Sequence, residues 1–119
     1  MIEKIFSQYP LLFRTAFALY ALIVLWASLR TGGGPQPIEH FDKIMHFVFY
    51  GLFTAIAAGC TNNKRTFIYL SLFIICYGSL MEVFQSFIPS RFMSVADIVA
   101  NTSGVVMIAA SVLKCRNLN

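Results

Sequence analysis

Charged residues are scarce in this sequence. Only 12% of its 119 residues are Asp, Glu, Lys or Arg, whereas about a quarter of a soluble domain is charged. So few charges cannot cover a water-facing surface, which argues against a soluble globular domain. The apolar fraction is 58%, and phenylalanine alone occurs 12 times. Much of this apolar bulk must therefore face lipid or pack between helices, as in an integral membrane protein.

Cysteine is also rare, and its spacing does not indicate a metal motif. Cys60, Cys76 and Cys115 are widely separated and form no C-x-x-C pair, so we interpret them as apolar filler. The net charge of +4 does not indicate nucleic-acid binding, because the basic residues lie at the ends of apolar runs and form no stripe interleaved with aromatics. We expect no metal, no cofactor and no nucleic-acid partner.

Long apolar runs occupy most of the chain. Each run has roughly 17–23 residues, which at about 1.5 Å per residue crosses a hydrocarbon core of about 30 Å. The glycine- and proline-rich stretch 31–37 predicts a loop, and the two later links are short, which predicts antiparallel neighbours. Residues 1–119 should therefore form a single all-α domain, an up-down four-helix transmembrane bundle. The predicted helices span about residues 11–29, 44–60, 66–88 and 95–113.

The distribution of lysine and arginine predicts the orientation of the bundle. Cytoplasmic loops carry the excess of these residues, and the larger of the two sets lies on the side of the termini. Both termini should therefore be cytoplasmic. The larger set is Lys4, Arg14, Lys64, Arg65, Lys114 and Arg116. The smaller set, on the outside, is Arg30, Lys43 and Arg91.

Polar residues recur inside the apolar runs at helical spacing. Residues three or four positions apart lie on one face of a helix. A charge facing lipid would cost roughly a few kcal/mol or more, so these faces should converge inside the bundle. Arg91 lies in the link beside them. The faces are Asp42, His46 and Tyr50 on the second helix, Glu82 and Gln85 on the third, and Ser94, Asp97 and Asn101 on the fourth, with Ser94 as its N-cap.

Small residues form stripes next to two of these polar faces. Such stripes allow helix backbones to approach closely in lipid, where association depends on packing. Close contact of the second and fourth helices would bring His46 toward Asp97 and Asn101. The stripes are Gly51, Ala55 and Gly59 on the second helix and Ala96, Ala100 and Gly104 on the fourth.

The order and spacing of these residues resemble the VanZ-like family over about residues 42–104. The first block reads Asp42-Lys43-x-x-His46-x-x-x-Tyr50. The second reads Gly78-x-x-x-Glu82-x-x-Gln85-x-x-x-Pro89-x-Arg91-x-x-Ser94-x-x-Asp97-x-x-x-Asn101-x-x-Gly104. The family consists of multi-pass bacterial membrane proteins, and its founding member is linked to low-level resistance to teicoplanin. The resemblance implies a location in the bacterial plasma membrane and suggests a link to this resistance.

Our first functional hypothesis is a binding module at the outer leaflet. Lys43 and Arg91 would hold the phosphate of an anionic lipid headgroup, with Arg offering a bidentate fork. An undecaprenyl-linked cell-wall precursor is the candidate ligand, because it would connect the site with teicoplanin. The predicted binding residues are Asp42, Lys43, His46, Tyr50, Glu82, Gln85, Arg91, Ser94, Asp97 and Asn101.

Two alternatives remain open on the sequence. The protein could be an intramembrane acid–base enzyme acting on an envelope lipid, with His46, Glu82 and Asp97 as catalytic candidates. A metal-activated water would need these residues and Asp42 as ligands, but the motif contains only one histidine, which is few for a zinc site. The polar network could also be purely structural, in a regulatory or structural subunit that fixes helix register. Four helices are few for a transporter unless the protein forms a homo-oligomer.

Overall fold

The computed structural model describes residues 1–30, 40–89 and 91–119. The predicted loop over residues 31–37 lies outside these ranges. The four longer helices are long and apolar enough to cross a membrane, so the predicted all-α membrane fold is confirmed. The helices are α1 (Ile2–Gln8), α2 (Pro10–Leu29), α3 (Phe41–Cys60), α4 (Lys64–Gln85) and α5 (Val95–Cys115).

The α3 helix begins at Phe41, three residues earlier than predicted, and the other main difference from the predicted bounds is in α4. This helix was predicted to reach residue 88, but it ends at Gln85. The reason is Pro89, which has no N–H to donate to the Gln85 carbonyl and whose ring would clash with it. The chain continues instead in a tight turn, where the Ile88 N–H donates to the Gln85 carbonyl at 3.0 Å. The short helix α1 was not predicted, because seven mixed residues give no span signal.

The α3 helix lies at the centre of the bundle. Among the described residues it contacts every other helix, and its largest interface is with α5, whereas α2 contacts α3 and α4 but not α5. The close approach to α5 depends on Gly104, where an added Cβ would overlap the Phe47 carbonyl oxygen and lie 3.1 Å from the Gly51 nitrogen. The predicted role of Gly51 and Gly104 is thus confirmed. Gly59, by contrast, lies under the ring of Phe13 in α2.

Aromatic side chains fill the middle of the bundle. Phe53 of α3 is fully buried, and its ring centroid lies 4.7 Å from that of Phe17, 5.1 Å from that of Tyr20 and 5.9 Å from that of Tyr77. The Tyr77 hydroxyl donates to the Ala21 carbonyl at 2.6 Å. Buried tyrosines usually find such a partner. This cluster joins α2, α3 and α4 in the middle of the spans.

Both termini and the link between α3 and α4 meet at one end of the bundle, which we call the terminal end. The Lys64 N–H donates to the Asn119 carbonyl at 2.7 Å, and the Asn119 N–H donates to the Asn62 carbonyl at 2.9 Å. Arg116 donates to the Ala58 carbonyl and to the Asn62 side chain. The opposite end holds the ends of α2 and α4 and the starts of α3 and α5, and we call it the site end.

The contact at Gly104 generates a stability prediction. Alanine is the better helix former by about 1 kcal/mol, yet Gly104→Ala should lower the free energy of unfolding by roughly 1–3 kcal/mol, because its Cβ would push α3 and α5 apart. Unfolding in mixed detergent micelles would measure the change. The control is Gly51→Ala. Its Cβ would lie 3.3 Å from the flexible side chain of Ile108 and at ordinary contact distance, 3.6 Å, from the Gly104 carbonyl oxygen. Equal effects at the two positions would contradict the packing account.

Candidate functional site

Polar side chains from three helices meet at the site end. His46 of α3 places Nδ1 2.9 Å from Asn101 Oδ1 of α5 and 3.8 Å from Glu82 Oε1 of α4. The Nε2 atom of the same ring lies 3.6 Å from Asp97 Oδ2. We call His46, Glu82, Asp97 and Asn101 the polar cluster. The predicted convergence of the polar faces is therefore confirmed.

Ser94 links the end of α4 to the start of α5. Its Oγ accepts the Asp97 N–H at 3.2 Å, so the predicted N-cap is confirmed. Its own N–H donates to Glu82 Oε2 at 3.3 Å. The carboxylate of α4 thus holds the first turn of α5 in place. Asp97 in that turn also lies where the helix dipole favours a negative charge.

Lys43 serves as an internal counter-ion. Its Nζ lies 2.9 Å from Asp42 Oδ2 and 3.2 Å from Asp97 Oδ1, and its side chain is about one-third exposed. The ammonium group is therefore shared by two carboxylates from α3 and α5. In this position Lys43 balances acidic charge within the site.

Two buried polar atoms of the polar cluster have no hydrogen-bond partner among the described residues. They are Glu82 Oε1 and Asn101 Nδ2. The Glu82 residue is only 1% exposed. An unpaired buried polar atom costs about 1–3 kcal/mol, so an oxygen left in this state marks a position where a ligand, ion or water would be stabilised.

Gly78 of α4 makes room for the polar cluster. An added Cβ would lie 2.7 Å from Tyr50 Cε1 and 3.2 Å from Asn101 Nδ2. Any larger residue would therefore displace the tyrosine ring or the amide. The motif thus has glycine at position 78 for a steric reason, since α4 must pass close to the side chains of Tyr50 and Asn101.

A cavity of about 290 Å³ opens beside the polar cluster, between α2 and α3. Most of its wall is apolar, and its charged and amide side chains belong to residues at the site end. His46 contributes both to the cavity wall and to the polar cluster. The wall includes Tyr20, Ile23, Val24, Met45 and Phe49 on its apolar part and Asp42, His46, Gln85 and Arg91 on its polar part.

Arg91 is fixed to the end of α2. Its Nη1 donates to the Arg30 carbonyl at 2.9 Å and to the Ser28 carbonyl at 3.3 Å. These carbonyls end the helix and have no intrahelical partner, so a cation there is favourable. The link between α4 and α5 is thereby tied to α2, and the guanidinium forms part of the cavity wall.

The predicted binding residues thus form two adjoining groups at the site end. The residues of the first group line the cavity. The residues of the second group lie in or beside the polar cluster and do not line the cavity. Nothing in the sequence indicated that α2 contributes Tyr20 and Ser28 to the wall, because its apolar run looks the same on every face. The first group is Asp42, His46, Tyr50, Gln85 and Arg91, and the second is Lys43, Glu82, Ser94, Asp97 and Asn101.

The shared ammonium generates a second stability prediction. Lys43→Met should lower the free energy of unfolding by roughly 1–3 kcal/mol, because Asp97 loses its cation in a partly buried setting. Adding Asp97→Asn should recover part of this loss, with a coupling of about 0.5–3 kcal/mol in a double-mutant cycle in mixed micelles. Lys114→Met, at an exposed lysine of the terminal end, is the control. Strictly additive effects would show that Lys43 does not act through Asp97.

Residues 3–115, nearly the whole chain, match the model of the VanZ/LLP1 family. The match covers all four membrane-length helices and every residue of both groups at the site end. No curated protein and no solved structure matches the chain. The chain is a membrane protein that belongs to the VanZ/LLP1 family.

Proposed function

We propose that this protein binds the headgroup of an envelope lipid at the site end, with the apolar part of the lipid in the cavity between α2 and α3. The observation that carries the proposal is the composition of the cavity wall, which is apolar over most of its surface and includes His46, Gln85 and Arg91. Ligand sites commonly combine an apolar wall with a few convergent polar groups. A lipid has this same division between chain and headgroup.

An anionic headgroup matches the cation on the wall. Arg91 is held by the α2 carbonyls, so its guanidinium is positioned before a ligand arrives, and arginine binds phosphate with two parallel hydrogen bonds. His46 and Gln85 provide further polar contacts from the same wall. Lys43 acts indirectly, by neutralising Asp42 and Asp97. An undecaprenyl-linked cell-wall precursor has the required phosphate and apolar chain.

This proposal places the site end on the outer side of the bacterial plasma membrane and the termini in the cytoplasm. The support is the excess of lysine and arginine at the terminal end. Cell-wall precursors are exposed to glycopeptides at the outer leaflet. Binding such a precursor there would connect this chain with the teicoplanin resistance linked to its family.

A second function, acid–base catalysis on an envelope lipid, is favoured by the position of His46. The imidazole lies on the cavity wall, with Asp97 Oδ2 3.6 Å from its Nε2 and Glu82 Oε1 3.8 Å from its Nδ1. A histidine oriented by a carboxylate is a common general base. Water would be the attacking group in such a reaction. Release of a new product from a bound lipid would favour this function over binding alone.

The binding proposal is tested with undecaprenyl phosphate and the full chain in phosphatidylcholine nanodiscs. We expect saturable binding that Arg91→Gln weakens about tenfold or more, because a charged hydrogen bond contributes roughly 1.5–3 kcal/mol and about 1.4 kcal/mol corresponds to tenfold. Native mass spectrometry of the intact complex would measure it. The control is Arg65→Gln, at an exposed arginine of the terminal end. Equal loss in both variants, or no binding by the wild type, would overturn the proposal.

The resistance link has its own test in a teicoplanin-sensitive Gram-positive host. Expression of the wild type should raise the minimum inhibitory concentration of teicoplanin and leave that of vancomycin unchanged. Arg91→Gln should abolish the gain at matched membrane levels, whereas Arg65→Gln should keep it. If the wild type gives no protection at confirmed expression, this chain does not share the resistance linked to the family, and its lipid lies elsewhere in the envelope.

A further inference from the structure

Three side chains of metal-ligating type meet in the polar cluster, one from each of α3, α4 and α5. A ligand atom of His46, one of Glu82 and one of Asp97 all lie within 4.8 Å of one another. Ligand atoms on opposite sides of a transition-metal ion are about 4.0–4.4 Å apart, which is twice a bond of about 2.0–2.2 Å. The spacing of the three side chains is close to this separation. We infer that these three residues bind one divalent transition-metal ion such as Mn²⁺ or Zn²⁺.

The imidazole of His46 is oriented as metal-bound histidines are. With Nδ1 as the donor to Asn101 Oδ1 at 2.9 Å, Nε2 is the ring nitrogen that faces Asp97 Oδ2, at 3.6 Å. A cation between Nε2 and this carboxylate oxygen would be bound by both. A hydrogen bond from the second ring nitrogen is the usual support for a histidine ligand. Asn101 is therefore the orienting residue of the site.

Glu82 supplies a second and independent observation. Its Oε2 accepts the Ser94 N–H. Its Oε1 is buried without a hydrogen-bond partner among the described residues and lies 3.8 Å from His46 Nδ1. The residue is 1% exposed, so bulk water does not reach this oxygen. A bound cation provides the missing partner.

The charge balance also favours a cation at this position. Lys43 contacts Asp42 Oδ2 and Asp97 Oδ1, which leaves Asp97 Oδ2 turned toward His46. Within the described ranges, His46 is the only basic side chain within 4.0 Å of the Glu82 carboxylate. Burying such charges in the membrane is expensive unless they are paired. One imidazole and two carboxylates suit Mn²⁺ or Zn²⁺.

The metal proposal is independent of lipid binding. An ion held by three protein ligands keeps open coordination positions, which in other proteins are filled by water or by a substrate oxygen. Here the histidine ligand lies on the cavity wall, so those positions lie close to the cavity. Loss of the metal site would leave the cavity itself intact.

The experiment is a Mn²⁺ titration of the full chain in maltoside micelles after EDTA treatment, without anionic lipid. Electron paramagnetic resonance of free Mn²⁺ should show about one site per chain, displaced by Zn²⁺. We expect His46→Asn, Glu82→Gln and Asp97→Asn each to weaken binding by about tenfold or more. His40→Asn, the same change at the other histidine, should bind as the wild type does.

A spectroscopic readout separates ligation from a general loss of structure. Electron spin echo modulation should show the nitrogen coupling of one imidazole in the wild type and in His40→Asn, and none in His46→Asn. Circular dichroism should show that each variant keeps its helix content. If a variant loses helix content, metal ligation is judged from the nitrogen coupling of the wild type and from the Mn²⁺ affinity of the remaining variants. Absence of saturable Mn²⁺ binding by the wild type, or of any nitrogen coupling, would overturn the inference.

Discussion

The pairing of His46 with Glu82, Asp97 and Asn101 is the constraint on which the rest of the structure depends. No water is present in the membrane core to satisfy polar groups, so each must find its partners within the protein. The three helices that carry these residues must therefore turn their polar faces to one point. Gly104 permits this by letting the backbones of α3 and α5 approach, and Gly78 leaves room for the Tyr50 ring and the Asn101 amide.

The site concentrates acidic charge and distributes its cations unevenly. Lys43 is shared by two carboxylates, and Arg91 is held by the end of α2. One part of the site, the polar cluster, therefore suits a cation, whereas the adjoining cavity wall presents arginine to an anion. His46 is common to both parts. A metal ion bound by Glu82 and Asp97 and a lipid phosphate bound by Arg91 would therefore occupy neighbouring positions that share His46.

The α2 helix has a different role from the other three spans. Val24 is its one buried residue, and it contacts α3 and α4 without reaching α5 in the described ranges. Its contribution is the apolar wall of the cavity and the carbonyl groups that fix Arg91. The family-like motif lies on α3, α4 and α5 and in the link that carries Arg91. Chemistry and access are therefore provided by different helices of one small bundle.

The sequence by itself determined the spans, the convergence of the polar faces and the family. Span length and the cost of a charge in lipid are local properties, so Asp42, His46, Glu82 and Asp97 could be assigned to one interior layer without coordinates. The end of α4 was predicted three residues too late, although Pro89 excludes the predicted last turn. The sequence could not show that Lys43 bridges two carboxylates or that Glu82 Oε1 is unpaired, since these depend on distances between helices. The tertiary structure alone decided that Tyr20 and Val24 line a cavity, because lipid and protein are equally apolar neighbours and hydropathy does not distinguish them.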